Sequence, residues 1–158
     1  MMILKKIILS VAFIGFPVLA LAEAPILKSM EEFESDSQKI CYSDWNKRGE
    51  TNQRMYDFCM KEKMSGYEKL KSLHQYANKD FYSKVSYPYC FNLWTKRGVS
   101  DAQMMAHCLD QEIEGVKDIL YYQEKYGKDS VNEITNLALA KFKCWHMAAY
   151  EVKRHFES

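Results

Sequence analysis

A cysteine-framed segment occurs twice in this chain and constrains its fold more strongly than any other feature. The two copies span residues 41–80 and 90–129 and align without a gap at an offset of 49 residues. A repeat period of about 20–50 residues is typical of one supersecondary unit used more than once, so we predict internal repeats here. The positions identical in both copies are Cys41/Cys90, Trp45/Trp94, Lys47/Lys96, Arg48/Arg97, Gly49/Gly98, Met55/Met104, Cys59/Cys108, Gly66/Gly115, Lys79/Lys128 and Asp80/Asp129.

Each copy carries the signals of two helices joined by a tight turn. Gly49 and Gly98 follow Lys-Arg, and cations in the last turn before a glycine are typical of a helix C-terminus. Thr51 and Ser100 are then the predicted N-caps of the following helices, and Gln103 would complete a capping box with Ser100. We therefore predict a helical hairpin in each copy.

The cysteines that frame each copy are placed for a disulfide within the hairpin. Cys41 and Cys59 lie at equal distances from the turn, and so do Cys90 and Cys108, which puts each pair at one height on antiparallel helices. A disulfide needs Cα atoms within about 7 Å. We predict the bridges Cys41–Cys59 and Cys90–Cys108, although five cysteines permit other pairings.

The first 22 residues have the composition of an export signal. Lys5 and Lys6 precede an apolar run over residues 7–21, which ends in a small-x-small site at Ala22. We predict cleavage after Ala22, which would leave residues 23–158 as one all-helical domain with no membrane span. The expected location is periplasmic or secreted, where disulfides persist.

The rest of the chain lacks useful β-type alternation, and we predict an all-α fold of about five helices. Its arrangement is either a bundle or a short solenoid, with two stapled hairpins in tandem and a C-terminal helix. Without Lys5 and Lys6 the formal charge falls from +1 to about −1, which disfavours nucleic acid as a partner. The first predicted helix runs to about Lys47, and the second from about Asn52 to Ala77. The third follows the break at Asp80 and is kinked or restarted at Tyr87-Pro88. The fourth ends near Gly127, and the fifth runs from Asp129 or Ser130 to Phe156.

Cys144 has no counterpart to pair with in this scheme. Allowing five extra residues, it occupies the opening position of a third, incomplete copy. We predict it to be the free thiol, which is either inert and buried or available for an intermolecular bridge that makes a homodimer.

Residue patterns that carry chemistry are weak in this sequence. It has no Cys-x-x-Cys pair, no histidines at metal-ligand spacing and no glycine-rich phosphate loop, so we assign no catalytic, cofactor or metal residue. The methionines fall on apolar stripes and are interpreted as core residues rather than copper ligands. The strongest candidates for a binding role are four cations at the hairpin tips. They either contact an anion or partner or stay solvated, and they are Lys47, Arg48, Lys96 and Arg97.

The pattern Cys-x-x-x-Trp…Met-x-x-x-Cys, formed by Cys41-Trp45…Met55-Cys59 and by its second copy, resembles a motif of small bacterial exported proteins. The resemblance covers the two copies and supports the fold and compartment, but it implies no activity. We predict a non-enzymatic exported binding or interaction module with a protein or envelope component as partner. The alternative is a small exported enzyme or copper-handling protein whose site forms only in the fold.

Overall fold

The computed structural model of the chain describes residues 26–158, so the predicted signal peptide lies outside the described residues. The described part forms six α-helices and two short antiparallel strand pairs, which confirms the all-α prediction. None of its helices is both long and apolar enough to cross a membrane. The helices are α1 (Met30–Trp45), α2 (Gln53–Leu73), α3 (Tyr87–Trp94), α4 (Ala102–Tyr126), α5 (Lys128–Phe142) and α6 (Trp145–Glu157).

Two disulfides join helices within the first two hairpins, as predicted. Cys41 of α1 is bonded to Cys59 of α2, and Cys90 of α3 is bonded to Cys108 of α4. The Cα–Cα distance is 5.7 Å in both bridges. Each hairpin is therefore stapled two to three helical turns away from its tip.

The hairpin tips differ from the prediction of a helix that ends in Lys-Arg-Gly. Helix α1 already ends at Trp45, and two-residue strands β1 (Asn46–Lys47) and β2 (Glu50–Thr51) pair across the tip. Arg48 has a φ of 56° and Gly49 a φ of 85°. Positive φ at both central residues is the geometry of a type I′ turn, which matches the twist of the flanking strands. The second tip repeats this with strands β3 (Thr95–Lys96) and β4 (Val99–Ser100).

The predicted N-caps Thr51 and Ser100 are wrong by one residue. The Asn52 side chain caps α2 by accepting from the Met55 amide at 3.3 Å, and Asp101 caps α4 in the same way. Thr51 and Ser100 lie in the strand pairs instead, and the hydroxyl of each forms a hydrogen bond to a side chain of the paired strand. Because Ser100 is not the cap, the predicted capping box with Gln103 does not form.

Pro88 lies where the sequence predicted a kink or restart of the third helix, and the structure has a change of helical register there. A π-helical segment (Phe81–Ser86) leads directly into α3, and Pro88 lies in the first turn of α3. The Tyr87 amide before it donates to the Tyr82 carbonyl in the π register, and Pro88 itself has no N–H to donate. The segment before it takes the wider π register, in which Ser86 Oγ donates to the Phe81 carbonyl at 3.1 Å.

The predicted fifth helix is two helices in the structure. Lys143 has a left-handed φ of 57° and Cys144 is extended, so α5 ends at Phe142 and α6 starts at Trp145. Cys144 is therefore the N-cap residue of α6. The prediction that it opens the first helix of a third copy is wrong, because the break places it where Asn52 and Asp101 stand in the earlier hairpins.

Helix α4 lies at the centre of the molecule, with α2 on one side and α6 on the other. It contributes Met105 and Leu109 to the core shared with α1, α2 and α3, and Ile119 and Tyr122 to the core shared with α5 and α6. The second helices of three successive hairpins thus form a row. Of the two predicted arrangements, this row favours the short solenoid.

Two glycines allow the helices in this row to approach closely. A Cβ at Gly66 of α2 would lie 2.3 Å from Gln103 Cα of α4, and a Cβ at Gly115 of α4 would lie 2.8 Å from the Trp145 carbonyl carbon of α6. In both cases the obstruction is backbone at the start of the next helix. No side chain can therefore replace either glycine without separating the helices.

We expect Gly66→Ala to lower the free energy of unfolding by about 3 kcal/mol, because the added methyl group overlaps backbone that cannot move aside alone. Ser65→Ala is the matched control, since its exposed side chain should change stability by less than about 0.5 kcal/mol. Urea unfolding followed by circular dichroism measures both. An increase in stability, which alanine produces at an unobstructed helical glycine, would contradict the close approach.

Candidate functional site

The structure does not bring the four hairpin-tip cations together. Lys47, Arg48, Lys96 and Arg97 are all exposed, and the two tips lie at different places along α1. The second tip docks on the first half of α1, where the Ser100 amide donates to Asp36 Oδ2 at 2.9 Å. The first tip follows the end of α1, about 14 Å further along the helix axis. A joint anion site formed by both tips therefore finds no support in the geometry.

Asp36 is the group that holds the second tip, and sequence reasoning missed it. Its carboxylate is 4% exposed and also accepts from Lys28 Nζ at 2.7 Å, while Lys28 donates to the Gly98 carbonyl. Burial acts to raise the pKa of Asp36, but the hydrogen bonds from Lys28 and the Ser100 amide outweigh it and leave the pKa below 3.8. The carboxylate is thus ionised and structural.

We expect Asp36→Asn to lower stability at pH 7 by about 2 kcal/mol, because the negative charge that accepts from Lys28, Lys39 and the Ser100 amide is lost. A lowered folded-state pKa stabilises the fold above the unfolded value and loses that contribution as pH falls through the folded value. The stability difference between wild type and variant should therefore shrink below about pH 3.8. Urea unfolding at pH 7 and pH 3 tests this, with exposed Glu34→Gln as control. A difference that is independent of pH would contradict it.

A small cavity of about 170 Å³ contains the polar groups that sequence analysis left unassigned. It lies between α3, α4 and the start of α6, and its lining includes Cys144, Glu112, Tyr89, His107 and His146. Cys144 is the free cysteine of the described chain and is 3% exposed. The cavity gathers a thiol, a carboxylate, a phenol and two imidazoles, which is a set that could do chemistry.

Glu112 is committed to holding α6 in place. Its carboxylate is 1% exposed, and it accepts from the Trp145 amide at 2.8 Å and from the His146 amide at 3.1 Å. These are first-turn amides of α6 that have no intrahelical acceptor, and Cys144 provides no side-chain cap. The equivalent position in the preceding hairpin, 49 residues earlier, is Lys63, whose ammonium binds the α4 cap Asp101 at 2.7 Å.

The electrostatics of the cavity disfavour a reactive thiol. Burial raises the pKa of the Cys144 thiol, and the nearby Glu112 carboxylate raises it further although the Met147 amide opposes this. The thiolate is the nucleophilic form of cysteine, so a raised pKa leaves Cys144 inert at neutral pH. Burial also raises the pKa of Glu112 above 4.5, despite its amide donors. A covalent homodimer through Cys144 stays a prediction, and burial of the thiol argues against it.

One feature of the sequence indicates that Glu112 is buried. The residue lies three and four positions after Leu109 and Cys108, on the apolar stripe of α4 rather than on its polar face. A carboxylate on a buried stripe needs donors, and here the next helix in the row supplies them. The partner amides could not be found from sequence, because their exposure as helix-start groups depends on the break at Lys143.

An open groove of about 560 Å³ adjoins this cavity. It lies between α5 on one side and the π-helical segment with α3 on the other, and Tyr89 and Leu93 line both spaces. The floor of the groove is apolar and its rim carries two cations. Its lining residues are Lys84, Val85, Tyr89, Asn92, Leu93, Leu139 and Lys143.

A second groove of about 510 Å³ separates α5 from α6. Its apolar residues include Ile134, Leu137 and Phe142, and its charged residues include Glu151, which forms an ion pair with Arg154. This groove therefore has charged groups of both signs, unlike the groove between α3 and α5, whose charged lining residues are both lysines. Within residues 26–158, no group of three or more His, Cys, Asp and Glu side chains is arranged to hold a metal ion.

Comparisons with protein-family models, curated proteins and solved structures give no match to this chain.

We expect Glu112→Ala to lower the free energy of unfolding by about 3 kcal/mol, because two buried amides lose their acceptor. Glu112→Gln should cost less, since its amide oxygen still accepts. Exposed Glu114→Ala is the control, with an expected change within about 0.5 kcal/mol. Urea unfolding measures all three variants.

The pH dependence of the same variants gives an independent readout. A carboxyl group whose folded-state pKa is raised loses stabilising effect as pH rises from the unfolded value through the folded value. Wild type should therefore lose stability relative to Glu112→Gln as pH increases above about 4.5. A gain relative to the variant over this range would show that the folded-state pKa of Glu112 is lowered, which would contradict the prediction.

Proposed function

We propose that this chain is an exported, non-enzymatic binding module and that the groove between α3 and α5 is its ligand site. The groove is the observation that carries the proposal. Its volume of about 560 Å³ lies within the range of about 300–1,000 Å³ usual for small-molecule sites, and it combines an apolar floor with a few polar groups. Leu93 is 46% exposed in its floor, which a ligand would cover.

Export is supported by the two disulfides, since such bridges persist in oxidising compartments. We also propose cleavage after Ala22 and a periplasmic or secreted location. The expected partner is an envelope component, which the module would meet in that compartment.

A non-enzymatic role is supported by the state of the candidate reactive groups. Cys144 is buried and its thiol pKa is raised, and the Glu112 oxygens are engaged by backbone amides of α6. A general base needs a free oxygen within hydrogen-bond reach of a substrate proton. These groups contribute to the fold, and the adjoining groove offers open space for a ligand.

The enzyme alternative depends on the same cavity. Because Tyr89 and Leu93 line both spaces, a ligand in the groove could reach toward Cys144. An enzyme of this kind would lose activity in Cys144→Ser, whereas a binding module would keep its affinity for ligand.

We expect the oxidised mature protein to bind N-phenyl-1-naphthylamine, an uncharged dye whose fluorescence increases in apolar sites. Leu93→Asn should weaken this binding at least tenfold, because it places an amide in the groove floor. Leu137→Asn is the matched control, since Leu137 is 66% exposed on α5 and lines the other groove. Absence of saturable binding, or an effect of Leu137→Asn alone, would overturn the assignment.

A further inference from the structure

We infer that the groove between α3 and α5 binds a free medium-chain carboxylate, with its head group between Lys84 and Lys143 and its chain on the groove floor. The inference rests on the proposed function and names the class of ligand. The alternatives are an uncharged apolar ligand and a cationic one. The charge of the residues that line the groove distinguishes these three classes of ligand.

The charge of the rim favours an anion. Lys84 and Lys143 both line the groove and are exposed, and no acidic residue is among the described residues that line it. Lys84 also pairs with Asp80 at 2.8 Å, but both side chains of that pair are largely exposed. An exposed pair of this kind contributes little, so a ligand carboxylate can compete for the Lys84 ammonium.

The position of Lys143 comes from the break between α5 and α6. Its left-handed backbone, with a φ of 57°, ends α5 and leaves the residue on the rim of the groove. A helix continued through this point, as predicted from the sequence, would have placed the residue differently. The cation pair is thus a product of the tertiary fold.

The floor favours a single apolar chain. Val85, Leu93 and Leu139 line the groove and provide aliphatic contact surface. Among the lining residues, Asn92 and Tyr89 are the uncharged polar ones, which is too few to satisfy the backbone of an extended peptide. An alkyl chain makes no such demand, because it has no hydrogen-bonding groups to satisfy.

The inner cavity determines the direction of the chain. At the inner end, beyond Tyr89 and Leu93, lies the buried carboxyl group of Glu112. A second anionic group placed there would lose its hydration next to a carboxyl group whose oxygens already accept from the α6 amides, which is unfavourable. The head group therefore faces the lysines, the methyl end points inward, and a dicarboxylate should be excluded.

The test uses the oxidised mature protein and displacement of bound N-phenyl-1-naphthylamine by decanoate, decan-1-ol and decyltrimethylammonium. We expect decanoate to bind at least tenfold more tightly than the alcohol, and the ammonium compound to bind most weakly. Shortening the carboxylate should weaken binding about fourfold per methylene removed. Raising the salt concentration should reduce the advantage of decanoate over the alcohol.

The double variant Lys84→Gln/Lys143→Gln should bind decanoate no better than decan-1-ol, because both head-group cations are removed. The matched control is Lys128→Gln/Lys141→Gln, which removes two exposed cations of α5 that lie outside the groove. It should leave the preference for decanoate intact.

The possible results separate the two proposals. If the dye binds but decanoate and decan-1-ol compete equally, the carboxylate inference is wrong and the proposed binding module stands. Loss of the decanoate preference in the Lys128/Lys141 control would likewise overturn the inference, because it would assign the head group to another surface. If neither the dye nor any of the three compounds binds, the proposed function itself is wrong.

Discussion

The close contact of three helices in a row is the constraint on which the rest of this structure depends. At Gly66 and Gly115 the absence of a side chain lets the start of the next helix pack directly on the helix backbone. This proximity brings the Lys63 ammonium to the cap of α4 and the Glu112 carboxylate to the first amides of α6. Packing in the row therefore buries the polar groups at the helix starts and also places their hydrogen-bond partners within reach.

The disulfides stabilise each hairpin rather than the contacts between hairpins. Each closes a loop of 18 residues within one hairpin, which contributes about 3 kcal/mol in the chain-entropy picture. They do not join one hairpin to the next, so the order of the hairpins depends on the glycine contacts, on the Asp36 hydrogen bonds and on burial along α4. Covalent bonds thus determine the hairpins, and noncovalent packing determines their arrangement.

The features that could be predicted from sequence are those set by local periodicity and spacing. Apolar stripes gave the helices, and equal distances from the turn gave both disulfides. The turn type was missed because Arg48 and Arg97 adopt a left-handed backbone that arginine rarely takes. The division at Lys143 was missed because the apolar pattern continues across it from Phe142 to Trp145, and only contact with α4 reveals the break. The groove was missed because its two lysines, Lys84 and Lys143, are distant in sequence and meet only in the folded chain.

The consecutive pairing of the disulfides has a consequence for biosynthesis. In a chain that enters an oxidising compartment N-terminus first, Cys41 meets Cys59 before Cys90 has arrived, and the second pair can close before Cys144 follows. In that order of entry, Cys144 follows all four cysteines that form the bridges. In the folded chain the start of α6 docks on Glu112 and covers Cys144, which shields this thiol from other molecules.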